Sequence, residues 1–483
     1  MLMNIRYSSK LIGLLLLVMA ASMATSLVWA FIDNDQQAIW SFIHSTAITA
    51  GAGTVMILLG IKSKSDLYIK EALVITAFGW IFSGVFGALP YMFENTFNSF
   101  ASAFFETVSG FTTTGSTAII IVEEQSRALL YWRSLTQWLG GMGIIVLFIA
   151  ILPRLGLGAK HLFKSEVPGP ITASFRPKLK ETSSILWKIY LGFTAAEIII
   201  LRLLGMNLFE SICHSFTTMS TGGFSTITAS IGGFNNPAIE YAICFFMFVA
   251  GVNFYLYYLI AKGDTTCIIK DPEFRAYAAI TGIAAIILTL SIYSIHGSFA
   301  EAFRKGLFQT ISISTTTGYG TDNFDVYPSF ARLLLIVLMF IGGSAGSTAG
   351  GIKVSRFLVL IKIVRVELFK AVHPNAVVAI KIGDSPIKDD IAKSIAGFFI
   401  LFIIVFATGS IFMAALGLDI ITAFSSVIAC LANIGPGLGR VGSIENFAFI
   451  PEIGKLFLSF CMILGRLELF TVMALMIPAF WKK

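Results

Sequence analysis

The chain has 483 residues, of which 56% are hydrophobic and 13% are charged, and its net charge is +7. Soluble domains carry about 25% charged residues, so this composition excludes a soluble globular protein and indicates a polytopic membrane protein. In a membrane protein such a positive charge is explained by cytoplasmic loops, and it does not predict nucleic acid binding.

Two apolar segments come first, at about 11–31 and 38–61. A cleavable signal peptide is the alternative for the first one, because Ala20, Ala21 and Ser22 resemble a cleavage site. The apolar region of a signal peptide is only about 7–15 residues long, whereas this segment is long enough to cross a bilayer. We therefore predict that residues 1–66 form a retained pair of transmembrane helices.

After this pair, one pattern of elements occurs four times. Each unit has an apolar span, a half-length helix, a loop centred on glycine, and a second span. The half-length helices, predicted near 97–109, 207–217, 298–313 and 419–431, are too short for a bilayer of about 30 Å and are expected to be re-entrant. The four units are predicted at 67–165, 166–264, 265–380 and 381–483. The second spans are predicted at 127–152, 236–261, 329–365 (interrupted) and 450–480.

The four loops are predicted to form an ion-selectivity filter. The third, Thr316-Thr317-Gly318-Tyr319-Gly320, differs at one position from the TVGYG of potassium channels, whose carbonyls replace the hydration shell of the ion. The C-terminal dipoles of the short helices add negative potential there, and oxygen ligands suit hard cations. A transporter with broken helices is the structural alternative. The candidate cation ligands are Thr113, Thr114, Gly115, Ser220, Thr221, Gly222, Thr316, Thr317, Gly318, Asn433, Ile434 and Gly435.

A glycine-rich segment interrupts the second span of the third unit. Each glycine costs about 1 kcal/mol relative to alanine in a helix interior, so a straight helix is not expected there. It resembles a phosphate-binding loop only superficially, because Ile352 stands where lysine is required. We predict a gate below the filter, with a tight helix crossing as the alternative. The predicted gate consists of Gly342, Gly343, Ser344, Ala345, Gly346, Ser347, Thr348, Ala349, Gly350 and Gly351.

Arg466 lies inside the last span, at the register of Gly346. An intramembrane arginine is a functional candidate, and its five donors are able to hold carbonyls of the gate segment. Its charge would also oppose a cation on the pore axis. Pairing with Glu468 is the alternative, but residues two apart on a helix do not face each other.

The distribution of lysine and arginine predicts the orientation. If the N-terminus is inside, the cytoplasmic segments are 1–10, 62–70, 153–188, 262–275, 353–393 and 482–483, and they hold 25 of the 34 basic residues. Both termini are then cytoplasmic, and all four filter loops enter from outside. The two longest inside segments, 153–188 and 353–393, are candidate docking surfaces for a cytosolic partner, or simply topogenic charge.

These motifs resemble the Trk/Ktr/HKT superfamily of potassium transporters over essentially the whole chain. The resemblance is carried by SGFTTTGS at 109–116, WLGGMG at 138–143, TTGYG at 316–320, GGSAGSTAGGIK at 342–353 and GR at 465–466. The two extra N-terminal spans are similar to the bacterial TrkH type. The resemblance implies an all-α polytopic fold in which four outer helix, pore loop and inner helix repeats form a pseudo-fourfold pore.

The same resemblance implies potassium uptake across the bacterial inner membrane, a homodimer, and a cytosolic nucleotide-binding regulatory subunit of the TrkA type. It maps the filter glycines onto Gly115, Gly222, Gly318 and Gly435. Glycine at all four positions favours potassium over sodium. A sodium or mixed conductor on the same scaffold remains the alternative, and a membrane enzyme is not expected, because no His/Asp/Glu cluster or Ser–His pair has usable spacing. We expect no cofactor, with K⁺ as the transported ion.

Overall fold

The computed structural model describes residues 4–61, 69–143, 179–376, 378–383 and 385–482. A helical pair comes first: α1 (Ile5–Ala24), α2 (Leu27–Asp33) and α3 (Gln36–Gly60). The pair packs closely because Gly13 of α1 and Gly53 of α3 face each other, and a Cβ on Gly53 would lie 2.8 Å from the Gly13 carbonyl. The predicted N-terminal pair is therefore present, with the turn at Asn34 in the left-handed conformation.

Four helical units follow the pair. The first contains α4 (Ile69–Gly87), α5 (Leu89–Phe93), α6 (Phe100–Phe111) and α7 (Arg127–Gly141). The second contains α8 (Leu179–Leu203), α9 (Leu208–Met219), α10 (Pro237–Ala250), α11 (Phe254–Ala261) and α12 (Cys267–Lys270). The third contains α13 (Pro272–His296), α14 (Phe299–Ser314), α15 (Ser329–Ile341) and α16 (Val354–Val372), followed by β1 (Lys381–Ile382) and β2 (Ser385–Pro386). The fourth contains α17 (Asp389–Ala415), α18 (Ile420–Leu431), α19 (Glu452–Arg466), α20 (Leu469–Met476) and α21 (Pro478–Trp481).

Among the described residues, six helices are long and apolar enough to cross a membrane, or eight if two bent pairs each count as one span. This confirms the prediction of an all-α polytopic membrane protein. The hairpin formed by β1 and β2, with Lys381 opposite Pro386, is the only strand pairing in the described part of the chain. The predicted unit boundaries near 66 and 165 lie outside the described residues.

The four short helices are those predicted from the sequence, each shifted by one to three residues. Three of them begin at a polar N-cap, where Ser99, Asn207 and Asp419 accept hydrogen bonds from backbone N–H groups of the first turn. Each packs between the outer and inner helices of its own unit, as α18 does between α17 and α19. This packing brings the loops that follow the four helices into contact with one another.

Two second spans that were predicted to be continuous are broken. The span at 236–261 bends by 90° between α10 and α11, and the span at 450–480 bends by 119° between α19 and α20. At the first break Asn253 caps α11 by accepting a hydrogen bond from Tyr255 N, and at the second Glu468 has φ 58°. Apolar composition continues through both breaks, so hydropathy did not reveal them. The predicted span at 127–152 is described only as far as residue 143.

Candidate selectivity filter and gate

The backbone after each short helix follows the same sharp path. The residue next to the C-cap is left-handed in every loop: φ is 56° at Thr113, 52° at Thr221, 58° at Thr316 and 55° at Asn433. Two residues further on, a glycine again has positive φ: 84° at Gly115, 75° at Gly223, 82° at Gly318 and 103° at Gly435. Glycine is the residue that adopts such a conformation without steric cost.

This pattern corrects the predicted register of the second loop by one residue. The sequence assigned Gly222 as the filter glycine, but Gly223 has the positive φ and Gly222 does not. Gly222 instead corresponds to Thr114, Thr317 and Ile434, and Ser220 is the helix C-cap. With this register, Gly143, Gly251 and Gly346 each lie 28 residues after their filter glycine, and Gly465 lies 30 residues after Gly435.

The four loops form a closed ring of neighbouring backbones. A Cβ added to Gly115 would overlap the carbonyl oxygen of Gly222 in the second loop. The same holds for Gly223 against Thr317, Gly318 against Ile434 and, at 2.8 Å, Gly435 against Thr114. Each filter glycine therefore faces the carbonyl of the next loop in the order one, two, three, four. The ring contributes one carbonyl from each unit at the same level.

A cavity opens on the side of the ring where the loops continue toward the inner helices. Its lining includes all four glycines of the ring: Gly115, Gly223, Gly318 and Gly435. Glu445 contributes a carboxylate to the same lining. Nearby, Asp325 accepts a hydrogen bond from Gly439 N at 2.9 Å, and burial raises its pKa although this hydrogen bond lowers it. The cavity provides a polar approach to the ring.

The segment predicted to form the gate lies against the other side of the ring. It is non-helical from Gly342 to Lys353, two residues longer than predicted, because α15 ends at Ile341 and α16 begins at Val354. Gly350 N donates to Thr316 Oγ1 at 2.6 Å, and Gly351 N donates to Ala432 O at 2.9 Å.

Thr348 fixes the same segment to the second unit. Its Oγ1 donates to Met219 O at 3.0 Å and to Ala250 O at 3.1 Å. Met219 is the last residue of α9, and Ala250 is the last residue of α10. The segment thus contacts the start of three filter loops, directly below the ring.

Arg466 connects this segment to the first unit. Its Nη1 donates to Thr348 O at 3.0 Å, and its Nη2 donates to Gly140 O at 2.7 Å and Gly141 O at 2.8 Å. Gly465 beside it has no room for a side chain, because a Cβ would overlap Leu431 O. Only one of the three carbonyls belongs to the predicted gate, so Arg466 joins the segment to α7 as well.

A family model described as "Cation transport protein", TrkH, matches residues 38–483. The Trk system potassium uptake protein TrkH of Escherichia coli K12 is 38% identical over 100% of both chains, and TrkG of the same strain is 34% identical over 99% of both. The crystal structure of the potassium transporter TrkH from Vibrio parahaemolyticus superposes with a TM-score of 0.89 at 36% identity, covering 99% of this chain and 100% of that one.

The chain belongs to the TrkH family of cation transport proteins. The predicted resemblance to the Trk/Ktr/HKT superfamily is therefore confirmed, and so is the prediction that the chain is a transporter rather than an enzyme. The multi-pass membrane location is confirmed as well, through the family and the apolar helices.

Two residues of this TrkH-family chain contact the filter loops and were not among the site residues predicted from the sequence. Gln137 of α7 is fully buried and donates from Nε2 to Gly222 O at 2.6 Å, while its Oε1 accepts from Phe224 N at 3.1 Å. Tyr319 points away from the ring, where its hydroxyl bonds to Thr217 and to His214 O. The sequence feature that identifies Gln137 as a candidate is its polar side chain inside an apolar span.

Side chains join the fourth loop to the first. Asn433 donates from Nδ2 to Thr114 Oγ1 at 2.9 Å and to Met462 O at 3.0 Å, so its side chain joins the fourth loop to the first and to α19. Ser116 Oγ donates to Gly435 O at 2.9 Å across the same boundary. These bonds hold the first and fourth loops together from outside the ring.

Two basic residues of the predicted docking segment 353–393 are buried. Lys353 is 1% exposed, with φ 84°, and its Nζ donates to Ala349 O of the predicted gate. Arg356 is 6% exposed, pairs with Glu468, and lies 4.1 Å from the centroid of the Phe398 ring. The prediction that segment 353–393 offers a docking surface is therefore wrong at these two residues, because a cytosolic partner cannot reach them. Most of the other predicted segment, 153–188, lies outside the described residues.

An ion pair between Arg133 and Glu106 supports the first and second loops. Arg133 Nε lies 2.8 Å from Glu106 Oε1, and the two side chains are 3% and 0% exposed. Glu106 also accepts from Ala118 N at 2.7 Å, and Arg133 donates to Ser225 O at 2.9 Å. The pair thus fixes the chain just after two of the filter glycines.

We expect Glu106→Ala to lower the free energy of unfolding by about 3–5 kcal/mol, because it leaves the buried guanidinium of Arg133 without its carboxylate. Thermal unfolding in detergent, followed by tryptophan fluorescence, measures this loss. Glu301→Ala is the matched control, since the Glu301 side chain is 46% exposed. Equal melting temperatures for both variants would contradict the supporting role of the pair.

Proposed function

We propose that this protein mediates potassium uptake through the ring of the four filter loops. The observation that supports the proposal most strongly is the cyclic contact of each filter glycine with the carbonyl of the next loop. Backbone carbonyls at one level replace the hydration shell of a monovalent cation, and the ring contains no charged side chain that would favour a divalent ion. The names of the TrkH and TrkG relatives, both potassium uptake proteins, support the same ion.

The proposed cation ligands are the backbone and hydroxyl oxygens of the ring residues predicted from the sequence. Gly223 is added as the filter glycine of the second loop, and Gly222 is retained at the position of Thr114, Thr317 and Ile434. Uptake of ⁸⁶Rb⁺ into proteoliposomes that contain the purified protein tests the function. External K⁺ should suppress the uptake, and an equal concentration of Na⁺ should not. Equal suppression by both ions would favour the sodium or mixed conductor instead, for which the departure of Asn433 and Ile434 from the channel pattern is the motivation.

We also propose that residues 342–353 form the gate and that Arg466 holds it closed. The segment lies against the start of the second, third and fourth filter loops, and Arg466 ties it to α7 of the first unit. Non-helical backbone at membrane depth is stable where it lines water or is buried in protein, and a gate at this point meets that condition. In this state the segment and the guanidinium together obstruct the path below the filter.

For its assembly, we propose a homodimer in the bacterial inner membrane, with both termini cytoplasmic and a nucleotide-binding regulatory subunit of the TrkA type on the inner face. Support comes from the basic segments and from the family. The exposed basic residues that remain available on the segment after α15 include Arg365, Lys381 and Lys388.

A binding measurement tests the regulatory partner. We expect a purified subunit of the TrkA type to bind the intact transporter in detergent, and Arg365→Glu combined with Lys388→Glu to weaken this binding at least tenfold. Arg440→Glu, an exposed charge reversal in the chain between α18 and α19, should not change it. If all three proteins bind the subunit equally, the segment carries only topogenic charge.

A further inference from the structure

One position of the ring differs from its three counterparts in having no side chain. The residue before the filter glycine is Thr114, Thr317 or Ile434 in the other loops, but Gly222 in the second. In the first and third loops the hydroxyl at this position is bonded to the hydroxyl two residues earlier, at 2.7 Å from Thr112 to Thr114 and 2.8 Å from Thr315 to Thr317. These side chains fill the space behind the backbone and fix its direction.

In the second loop that space is occupied by Gln137. The three atoms nearest to a Cβ built on Gly222 all belong to the side-chain amide of Gln137, with Nε2 at 2.8 Å. Gly222 does not have the positive φ that favours glycine, so its backbone would accept another residue. Glycine is needed at this position because Gln137 fills the volume that a side chain would take.

Gln137 also makes polar contacts with the backbone of the second loop at this position. It donates to Gly222 O at 2.6 Å and accepts from Phe224 N at 3.1 Å, so its amide bridges the backbone on both sides of Gly223. Gly222 O is the carbonyl that faces Gly115 in the ring. A carboxylate cannot donate to this oxygen, and an apolar side chain can neither donate nor accept.

We propose that Gln137 is a positioning residue for ion selection: it takes the place of the absent side chain at Gly222 and sets the direction of the second loop's carbonyl. The proposal rests on the proposed filter function. It implies that the amide at position 137 and the glycine at position 222 depend on each other. A change at either one should be tolerated only when the other changes as well.

A residue swap tests this dependence through the Rb⁺/Na⁺ permeability ratio in proteoliposomes. We expect Gln137→Ala and Gly222→Thr each to lower the ratio about tenfold. The first leaves the space behind Gly222 empty and lets its carbonyl turn, and the second makes the new side chain collide with Gln137. The double variant, which recreates the arrangement of the first and third loops, should return the ratio to within about threefold of the wild type. Ser134→Ala is the matched control, because the Ser134 hydroxyl is buried in the same helix and bonds to Leu130 O.

Two further variants keep the test decisive. Gln137→Glu preserves the shape of the side chain and should lower the ratio as Gln137→Ala does, so it replaces the alanine variant if that protein is not recovered. Gly318→Ala tests the filter assignment independently of Gln137, because it changes the filter glycine of the third loop. The role of Gln137 is overturned, and the filter assignment is kept, if Gly318→Ala lowers the ratio while Gln137→Ala and Gly222→Thr each retain it. A double variant with a lower ratio than either single variant has the same meaning. If Gly318→Ala retains the ratio as well, the filter assignment fails.

Discussion

Replacing Gly318 with serine is expected to reduce the Rb⁺/Na⁺ permeability ratio by at least tenfold, with a fall in total Rb⁺ flux. Gly318 has φ 82°, and a Cβ at this position would overlap Ile434 O and lie 2.7 Å from the Pro436 side chain. The loop cannot relieve both contacts without moving a carbonyl of the ring. A tenfold change in the ratio corresponds to about 1.4 kcal/mol, which a small displacement of one ligand is able to produce.

Gly320→Ala is the matched control for this variant. It lies in the same TTGYG motif, but its φ is not positive and a Cβ there would meet its nearest neighbour, Ser443 Cβ, at 3.3 Å. We expect it to retain at least half of the selectivity of the wild type. Bi-ionic potentials recorded from protein reconstituted in planar bilayers measure both ratios. An unchanged ratio for Gly318→Ser would remove Gly318 from the filter.

Replacing Arg466 with alanine is expected to raise the basal Rb⁺ flux severalfold. The substitution removes three hydrogen bonds, to Thr348 O, Gly140 O and Gly141 O, and it removes a positive charge below the ring. Arg466→Lys separates the two contributions, since it keeps the charge but loses the planar set of donors. An intermediate flux in the lysine variant would show that both contribute.

If residues 342–353 and Arg466 act together as one gate, the increases in flux from disabling each of them should not be additive. Deletion of residues 346–350 should raise the flux by itself, and adding Arg466→Ala to the deletion should raise it little further. Uptake of ⁸⁶Rb⁺ at matched protein incorporation measures all four proteins. If both single variants fold normally and conduct at the wild-type rate or more slowly, residues 342–353 form a packing site and the gate lies elsewhere.

The repeated architecture was predictable because it depends on local patterns. The short helices were placed within three residues from their half-length apolar runs, and the structure shows that Ser99 and Asp419 cap two of them. The breaks after α10 and α19 were not predictable from hydropathy, because the apolar composition continues through them. They depend on a local cap at Asn253 and on the left-handed conformation of Glu468.

The details of the ring depend on contacts between residues far apart in the chain. Two consecutive glycines in the second loop left the register ambiguous, and the space behind Gly222 is filled by Gln137, 85 residues earlier. The burial of Lys353 and Arg356 was likewise hidden, because positive charges near the end of a span usually indicate a cytoplasmic loop. A sequence pattern assigns residue types to a site, whereas the fold determines which carbonyl each side chain meets.

Anomalous diffraction from crystals grown in Rb⁺ tests the central claim most directly. If the four loops form one filter, difference density for Rb⁺ should lie on the axis of the ring, at similar distances from the carbonyl oxygens of Thr114, Gly222, Thr317 and Ile434, and the Gly318→Ser variant should weaken it. Rb⁺ density that is absent from this axis at saturating Rb⁺, or that is unchanged in the Gly318→Ser variant, would contradict the proposed pathway.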